Sequence, residues 1–428
     1  MAAGSRSYSA DQAAASARLK PGHLWLVLMT KLGAYSGPPD FSDHSERLDT
    51  DGPPISLGPA AAPSSQSVAP PSSGVPAVTG VVTAGDVLAT GEYLASLQEP
   101  SGAISWPDGH TNAWDLVECA MALSVCGLTA SARRAYEWLR RSQRPDGSWP
   151  RRTVANTVTD PAAESNQTAY VAVGAWHELL VTGDQEFAGH MWPTVQRAIE
   201  FVLALQTPRG EILWERTASG ARGQFALLAG CSSTFQSLRC AARLAEYLGD
   251  PQPSWELAAS RLGHVIECHP EVFVDKERFS MDWYYPVLAG PVHGTAALER
   301  LRSGWPRFVV PGLGVRCVSD EPWVTGAETC ELVMAAATVD RSRALDLYAD
   351  IQHLRDTDGA YWTGWQFANR AHFPAERSSW TAAAVILAAD VLSETTTGSA
   401  LFRETGVGGL VIAPDDPGLC GCPVAVTD

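Results

Sequence analysis

Apolar residues spaced three and four apart run through the middle of the chain and predict a succession of helices. Over 114–127 they fall at Val117, Ala120, Met121 and Val125, with Ser124 on the same face. Gly127 marks a stop, and Thr129 or Ser131 offers the cap of a second helix reaching about Gln143. The same pattern predicts helices over 166–180, 187–206, 233–248, 255–267, 328–337, 343–354 and 379–392. Pro193 suits the helix over 187–206 in a first turn or at a kink, because proline gives the ladder no N–H. The stretch 382–391 is apolar around most of its circumference, which predicts a helix buried on both sides. Strand signals are few, the clearest being 308–310 and 314–318.

One motif recurs at helix ends: an apolar residue or Ser, a Gln or another polar residue, a turn holding Gly, then Trp. It reads Leu97-Gln98 to Gly102 and Trp106, Ser142-Gln143 to Gly147 and Trp149, and Leu205-Gln206 to Gly210 and Trp214. A fourth copy reads Leu354-Arg355 to Gly359 and Trp362. Repetition with helical sequence between copies marks a stacked or closed helical array. Helices come in pairs, with short links alternating with longer loops rich in Gly, Pro and Trp. The expected fold is therefore an all-α (α/α)6 toroid whose longer loops gather at one mouth.

Composition changes this picture at the two ends. Between Gly52 and Gly80 the chain is dominated by Pro, Ser, Ala and Gly, including Pro53-Pro54 and Pro70-Pro71. Such sequence buries too little apolar surface to offset its ordering entropy. Three segments are expected: a disordered extension over 1–84, the toroid over 85–395, and an irregular tail over 396–428. Apolar content of 45% with 18% charged residues fits a globular middle.

A formal charge of −16 repels phosphate backbones and so excludes nucleic-acid binding. No stretch is long and apolar enough to span a membrane, and 24–29 is short for a secretion signal. Nine cysteines at irregular spacing suggest reduced thiols packed as small apolar residues, and a cytoplasmic location. No spacing indicates a metal site, and no cofactor is implied; oligomeric state stays open. Fifteen tryptophans, many at loop ends, fit either packing or the walls of a concave site.

Several motifs, in order over 95–395, give the chain a resemblance to the glucoamylase family of the six-hairpin glycosidases. Trp114-Asp115, opening a helix rich in Ala and Leu, resembles that family's first substrate-binding turn, although the family has Trp and Arg ahead of its Asp and here Asn112, Ala113 and Trp114 precede Asp115. The run Ser142 to Pro150 resembles its following loop, and Val181 to Asp184 with Met191-Trp192-Pro193 its next hairpin. Leu213-Trp214-Glu215 is similar to the segment carrying the family's general acid. Arg316 with Glu321-Pro322-Trp323 resembles the segment whose Arg clamps the sugar, and Ala375-Glu376 with Ser379 to Ala382 the one carrying the general base. The resemblance implies inverting hydrolysis of a glycan, glycoside or glycosylated metabolite, with Glu215 as acid and Glu376 as base. Such a pair stands roughly 6.5–9.5 Å apart, leaving room for a water beneath the sugar.

Other residues join the candidate site on their own chemistry. Asp115 and Arg316 can bind hydroxyls, although an Asp at a helix start is as often a cap. Asp282, Trp283 and Tyr285 belong to the most aromatic run, suited to stacking on a sugar or stabilising a cation. Glu328 and Glu331, three apart, share a helix face. Trp114, Trp214, Trp362 and Trp380 are wall candidates. The Gln-Gly-Trp loops also resemble terpenoid cyclases and protein prenyltransferases, so an isoprenoid-handling toroid is the alternative function; a non-catalytic toroid is the third.

Overall fold

A computed structural model describes residues 74–403. They form a closed double ring in which each outer helix is followed by an inner one. The outer helices are α1 (Ala84–Ser96), α3 (Thr129–Ser142), α6 (Gln185–Leu203), α8 (Pro253–Cys268), α10 (Gly294–Phe308) and α12 (Arg341–Asp350). The inner positions hold α2 (Ala113–Val125), α4 with α5 (Ser165–Ala169, Val171–Thr182), α7 (Leu228–Tyr247), α9 (Ser280–Leu288), α11 (Gly326–Ala337) and α13 (Ser379–Ser393). Inner helices pack in the closed order α2, α5, α7, α9, α11, α13 and back to α2. The expected (α/α)6 toroid is thus the fold.

Inner and outer helices differ as the sequence pattern requires. Helices α2 and α9 are buried along their whole length. Helix α3 buries one stripe, Ala132, Ala135, Tyr136, Trp138 and Leu139. Three helices, α1, α9 and α10, lie outside the set predicted from spacing. Helix α7 starts at Leu228, five residues early, because Ser232 and Thr234 return their hydroxyls to the carbonyls of Leu228 and Gly230, each at 2.8 Å. Helix α3 follows Leu128 with no side-chain cap, so neither Thr129 nor Ser131 has the expected role. Pro193 stands mid-helix in α6 rather than in a first turn. The bond it forgoes is to the carbonyl of Gly189, at an exposed position.

Ten short strands, more than the sequence signals, cluster where inner helices begin. They are β1 (His110–Thr111), β2 (Arg152–Val154), β3 (Thr157–Asp160), β4 (Ala163–Glu164), β5 (Glu215–Arg216), β6 (Val309–Val310), β7 (Gly314–Val315), β8 (Trp323–Thr325), β9 (Gly364–Gln366) and β10 (Ala371–His372). They form sheets ordered β1-β2-β3, β4-β5 and β10-β9-β8-β7-β6. Strands β4 and β8 run straight into α4 and α11, and β1 lies one residue before α2.

The recurring Gln motif is a clip between neighbouring outer helices. Gln98 Nε2 donates to its own loop at Gly102 O and to Ser131 O in α3, at 3.0 and 2.9 Å. Gln143 does the same with Gly147 O and Thr194 O in α6, and Gln206 with Gly210 O and Ala258 O in α8. The glycine lets the turn touch the neighbour: Gly147 has φ +89°, and a Cβ there would stand 2.0 Å from Arg197 O. In the fourth copy Arg355 replaces Gln and reaches Asp86 in α1 at 2.6 Å, closing the ring. The ring continues slightly past both expected limits, with Val78, Val82 and Phe402 buried. The rest of the expected extension over 1–84 and tail over 396–428 lies outside the described residues.

Candidate active site

The mouth is built from the first turns of the inner helices. Asp115, Asp282 and Glu328 each stand three residues after an N-cap position, Asn112, Phe279 and Thr325 respectively. One turn further in, α2 adds Glu118 and α11 adds Glu331, so an Asp-x-x-Glu row meets a Glu-x-x-Glu row. All four carboxyls of these two rows are buried.

Each of the four has defined partners. Asp115 Oδ2 accepts from Trp106 Nε1 and Asn112 Nδ2, both at 2.5 Å. Glu118 Oε1 accepts from Trp114 Nε1 at 3.0 Å and from the Tyr170 hydroxyl at 3.4 Å. Trp114 stacks on Tyr170 at 3.8 Å. Glu331 accepts from the hydroxyls of Tyr284 and Tyr285, the latter at 2.5 Å. Glu328 Oε2 is buried without a partner. Burial pushes all four carboxyls upward, Glu331 to about 8. The negative charges of Glu331 and Asp115 add to the rise at Glu118, while the Trp114 and Trp380 indoles oppose it.

Glu376 lies in the loop before α13, 7% exposed, and its Oε2 has no partner. Burial raises its carboxyl to about 7, and the charge of Asp108 adds to that. Its neighbour Arg377 turns away to Asp356 and Asp358, at 3.2 and 2.8 Å. Asp108 is itself held by His110 Nδ1 at 2.5 Å and Arg152 Nη2 at 2.6 Å. His110 stacks on Trp106, the indole that donates to Asp115, with centroids 5.2 Å apart. Asp115, Trp106, His110, Asp108 and Arg152 are thus linked contact by contact at the mouth.

Glu215 sits differently. It is on β5, directly across from Glu164 on β4. The Arg151 guanidinium joins Glu215 to Glu164, at 2.5 Å from the latter, and to Asp160 at 3.0 Å. Three carboxylates therefore share one cation. Burial raises Glu164 to about 7 against the pull of Arg151. Arg216, the next residue, pairs instead with Asp146 at 3.4 Å.

The remaining sequence candidates divide between axis and scaffold. Tyr285 faces the axis through Glu331, and Trp380 lies 6.3 Å from Trp106. Trp362 is half-buried, stacked on His372 at 4.2 Å. Trp214 packs under Gly230 of α7. Trp283 turns outward, stacked on Phe308 with its N–H on Arg300 O at 2.7 Å. Asp282 accepts from the Ala229 N–H at 3.3 Å, and burial raises it to about 7. Arg316 donates to the backbone at Ser319 O, at 2.8 Å. Sequence reasoning missed Trp106, Asp108, Glu118, Arg151, Arg152, Glu164 and Tyr170. The repeated acid spacing at 115/118 and 328/331 is the signal that reveals Glu118. Among the described residues no group of His, Cys, Asp and Glu is placed to hold a metal.

A closed six-hairpin ring with buried acids at one mouth defines an α/α toroid of the glycosidase type. Solved structures share the fold: a glycosidase aligns with a TM-score of 0.58 at 15% identity, covering 74% of this chain and 98% of its own. The GH63 mannosylglycerate hydrolase of Thermus thermophilus aligns at 0.56 and 13% identity, covering 70% and 99%. A D-mannose isomerase aligns at 0.54 and 14% identity, covering 72% and 96%, so the fold alone does not fix the reaction. No family model matches the chain.

Sequence similarity goes further. The chain is 54% identical over 331 residues to the MMP endo-(1,4)-3-O-methyl-alpha-D-mannosidase of Mycolicibacterium hassiacum, covering 77% of this chain and 92% of that protein. It belongs to the family of that mannosidase, and it is a glycoside hydrolase-like enzyme with a carbohydrate substrate. An isoprenoid-handling or non-catalytic ring is not favoured. No helix of the described residues is long and apolar enough to cross a membrane.

Proposed function

We propose that the protein cleaves internal (1→4) linkages of a 3-O-methylated α-D-mannan by inversion at the mouth of the ring. The substrate class follows from the 54% identity to the endo-mannosidase. The observation that carries the chemistry is Glu376, a buried carboxyl raised to about 7 with an unpartnered oxygen and no cation against it. Those properties suit a proton donor. Glu215 accepts from the Arg151 guanidinium, which it shares with Asp160 and Glu164, and a cationic partner favours a carboxylate's ionised form. The electrostatics therefore favour the reverse of the roles that the resemblance implied: Glu376 protonates the departing glycosidic oxygen, while Glu215 takes a proton from the water attacking the anomeric carbon. Asp115 and Glu328 would hold hydroxyls, with Trp362 and Trp380 along the wall.

A second reading is favoured by the two acid rows. Asp115, oriented by two N–H donors, and Glu328, with an orphan oxygen, are both buried in the first turns of inner helices. In that reading Glu215 braces the β4–β5 edge. A panel of Glu376→Gln, Glu215→Gln, Asp115→Asn and Glu328→Gln separates the two, assayed on methylated α-(1→4)-mannan oligomers with the anomer of the first product read by NMR. The proposal expects internal cuts, a β-configured first product, and the largest losses at 376 and 215. Largest losses at 115 and 328 transfer the chemistry to the axial pair, and release of terminal sugars alone overturns endo cleavage. A cytoplasmic location is proposed on the six buried thiols, and cell fractionation checks it.

A further inference from the structure

Two strands and one loop form a corner beside Glu376. Strand β8 brings Trp323 to it, and β9 sets Gln366 directly across from Trp323. The segment before α13 brings Phe373, whose ring lies 5.2 Å from the Trp323 indole at an angle of 52°. Thr363 fastens this corner to the segments of two acids. Its carbonyl accepts from the N–H of Gly326, the first residue of α11, and its own N–H donates to Glu376 O, each at 2.9 Å. Glu328 stands in that same first turn of α11.

Trp323 is 3% exposed, and its indole N–H has no acceptor among the described residues. An indole can only donate, and a donor buried this deeply without a partner is costly. Trp106, Trp114 and Trp283 give the same group to Asp115, Glu118 and the Arg300 carbonyl. The side-chain oxygen of Gln366 is already taken by Asn369 Nδ2. Phe373 is half-buried and offers carbon alone. A spare N–H donor therefore meets an aromatic ring next to the acids.

We propose that Trp323 and Phe373 are specificity-determining residues that read the 3-O-methyl group of the mannan. The indole N–H donates to the ether oxygen, and the methyl packs on the Phe373 ring. The inference rests on the reading of the substrate as a 3-O-methylated mannan. A methyl ether accepts a hydrogen bond and has no proton to give, so a donor beside a ring satisfies it completely. A free hydroxyl can accept from the same N–H, but its own proton is then turned toward the ring, where no lone pair receives it.

The test measures kcat/KM on three α-(1→4)-mannan oligomers bearing a methoxy group, a hydroxyl or a hydrogen at C3. The wild type, Phe373→Ala and Trp323→Phe are compared. The wild type is expected to favour the methoxy oligomer over the hydroxyl one by about tenfold or more, the usual worth of one pocketed methyl. Phe373→Ala lowers that preference at least about threefold, because the lost contact belongs to the methyl. Trp323→Phe keeps a ring and deletes the donor. It costs the methoxy oligomer about fivefold or more beyond its cost to the 3-deoxy oligomer, which has no oxygen there. A merely structural role lowers all three substrates in the same proportion, and that outcome overturns the proposal. So does a wild type that cleaves the methoxy and hydroxyl oligomers equally well. If Trp323→Phe does not fold, the preference of Phe373→Ala still decides. A wild type that cleaves none of the three sinks the mannan reading and this corner with it. Internal cleavage of the methoxy oligomer with an unmoved preference in Phe373→Ala sinks the corner alone.

Discussion

The carboxylates of the outer wall and those of the ring axis live in opposite environments. On the outside, Asp86 accepts from the Thr83 backbone and hydroxyl and pairs with Arg355, and it is lowered to about 2. Glu137 of α3 accepts from Arg140 and is likewise lowered to about 2, with His190 and Arg141 helping. Toward the axis, burial raises Glu376 and Asp282 to about 7 and Glu331 to about 8. Outer acids complete clips and caps that hold the ring closed. Inner acids are kept where their ionised form is disfavoured, which opposes stability and serves chemistry.

Activity is where this contrast breaks most sharply. Glu376→Gln is expected to lower turnover by at least about 10²-fold, the usual contribution of a positioned acid. The same change should leave the melting temperature at pH 8 unchanged or higher, because it removes a carboxyl whose ionised form the fold disfavours. Thermal melts beside initial rates check both halves. A variant that loses stability and activity together would place Glu376 among the structural acids.

A clip glycine should behave in the reverse way. Gly147→Ala puts a Cβ 2.0 Å from the Arg197 carbonyl at a backbone angle of φ +89°. Left-handed strain alone costs about 1–2 kcal/mol, and the clash adds to it, so chemical denaturation should show a loss above about 2 kcal/mol. The turnover of the folded fraction should stay close to wild type.

How far the sequence anticipated each region follows from the same physics. The ring was legible because its seams repeat: Gln98, Gln143 and Gln206 each bind their own loop and the next outer helix, so spacing alone exposes them. The helix pairing was legible from apolar periodicity. Boundaries slipped where polar side chains serve the helix itself, as at Ser232 before the predicted start of α7. The site was only partly legible, because its contacts join loops far apart in sequence. Trp283 reads as an aromatic wall beside Asp282, yet its ring faces Phe308 of the outer helix, a choice that depends on how α9 is rotated. Arg152 has no local signal, since Asp108 lies 44 residues away.

Stability should record the two carboxylate populations as opposite slopes with pH. The inner acids have folded values above their unfolded ones, so they bind protons more tightly when folded. Their contribution is fully present below the ordinary Glu value of 4.5 and is lost as pH rises through about 7 to 8. Asp86 and Glu137 are depressed, so their contribution is present above the ordinary values and is lost as pH falls toward about 2. Melting temperature should therefore peak near pH 5, and Glu376→Gln should flatten the alkaline descent. A maximum at pH 8 would mean that the inner carboxyls are not disfavoured as anions.

The smallest effects lie in the side-chain donors of the clips, and they rank the seams. Gln206→Leu leaves the carbonyls of Gly210 and Ala258 without that donor in a half-buried seam, which should cost about 1–3 kcal/mol. Arg355→Met removes the equivalent donor at the closing seam, but there the partner is Asp86, and both side chains are about a third exposed, at 29% and 31%. An ion pair so accessible is worth under about 1 kcal/mol, and less in high salt. The seam keeps its backbone contact, since Gly359 still lies against Ala89 of α1. Urea unfolding of both variants at low and high salt should show the Gln206 loss unaffected by salt and the Arg355 loss vanishing in it. If Arg355→Met costs as much as Gln206→Leu, the charge pair is what locks the ring, and the contact of Gly359 with α1 is secondary.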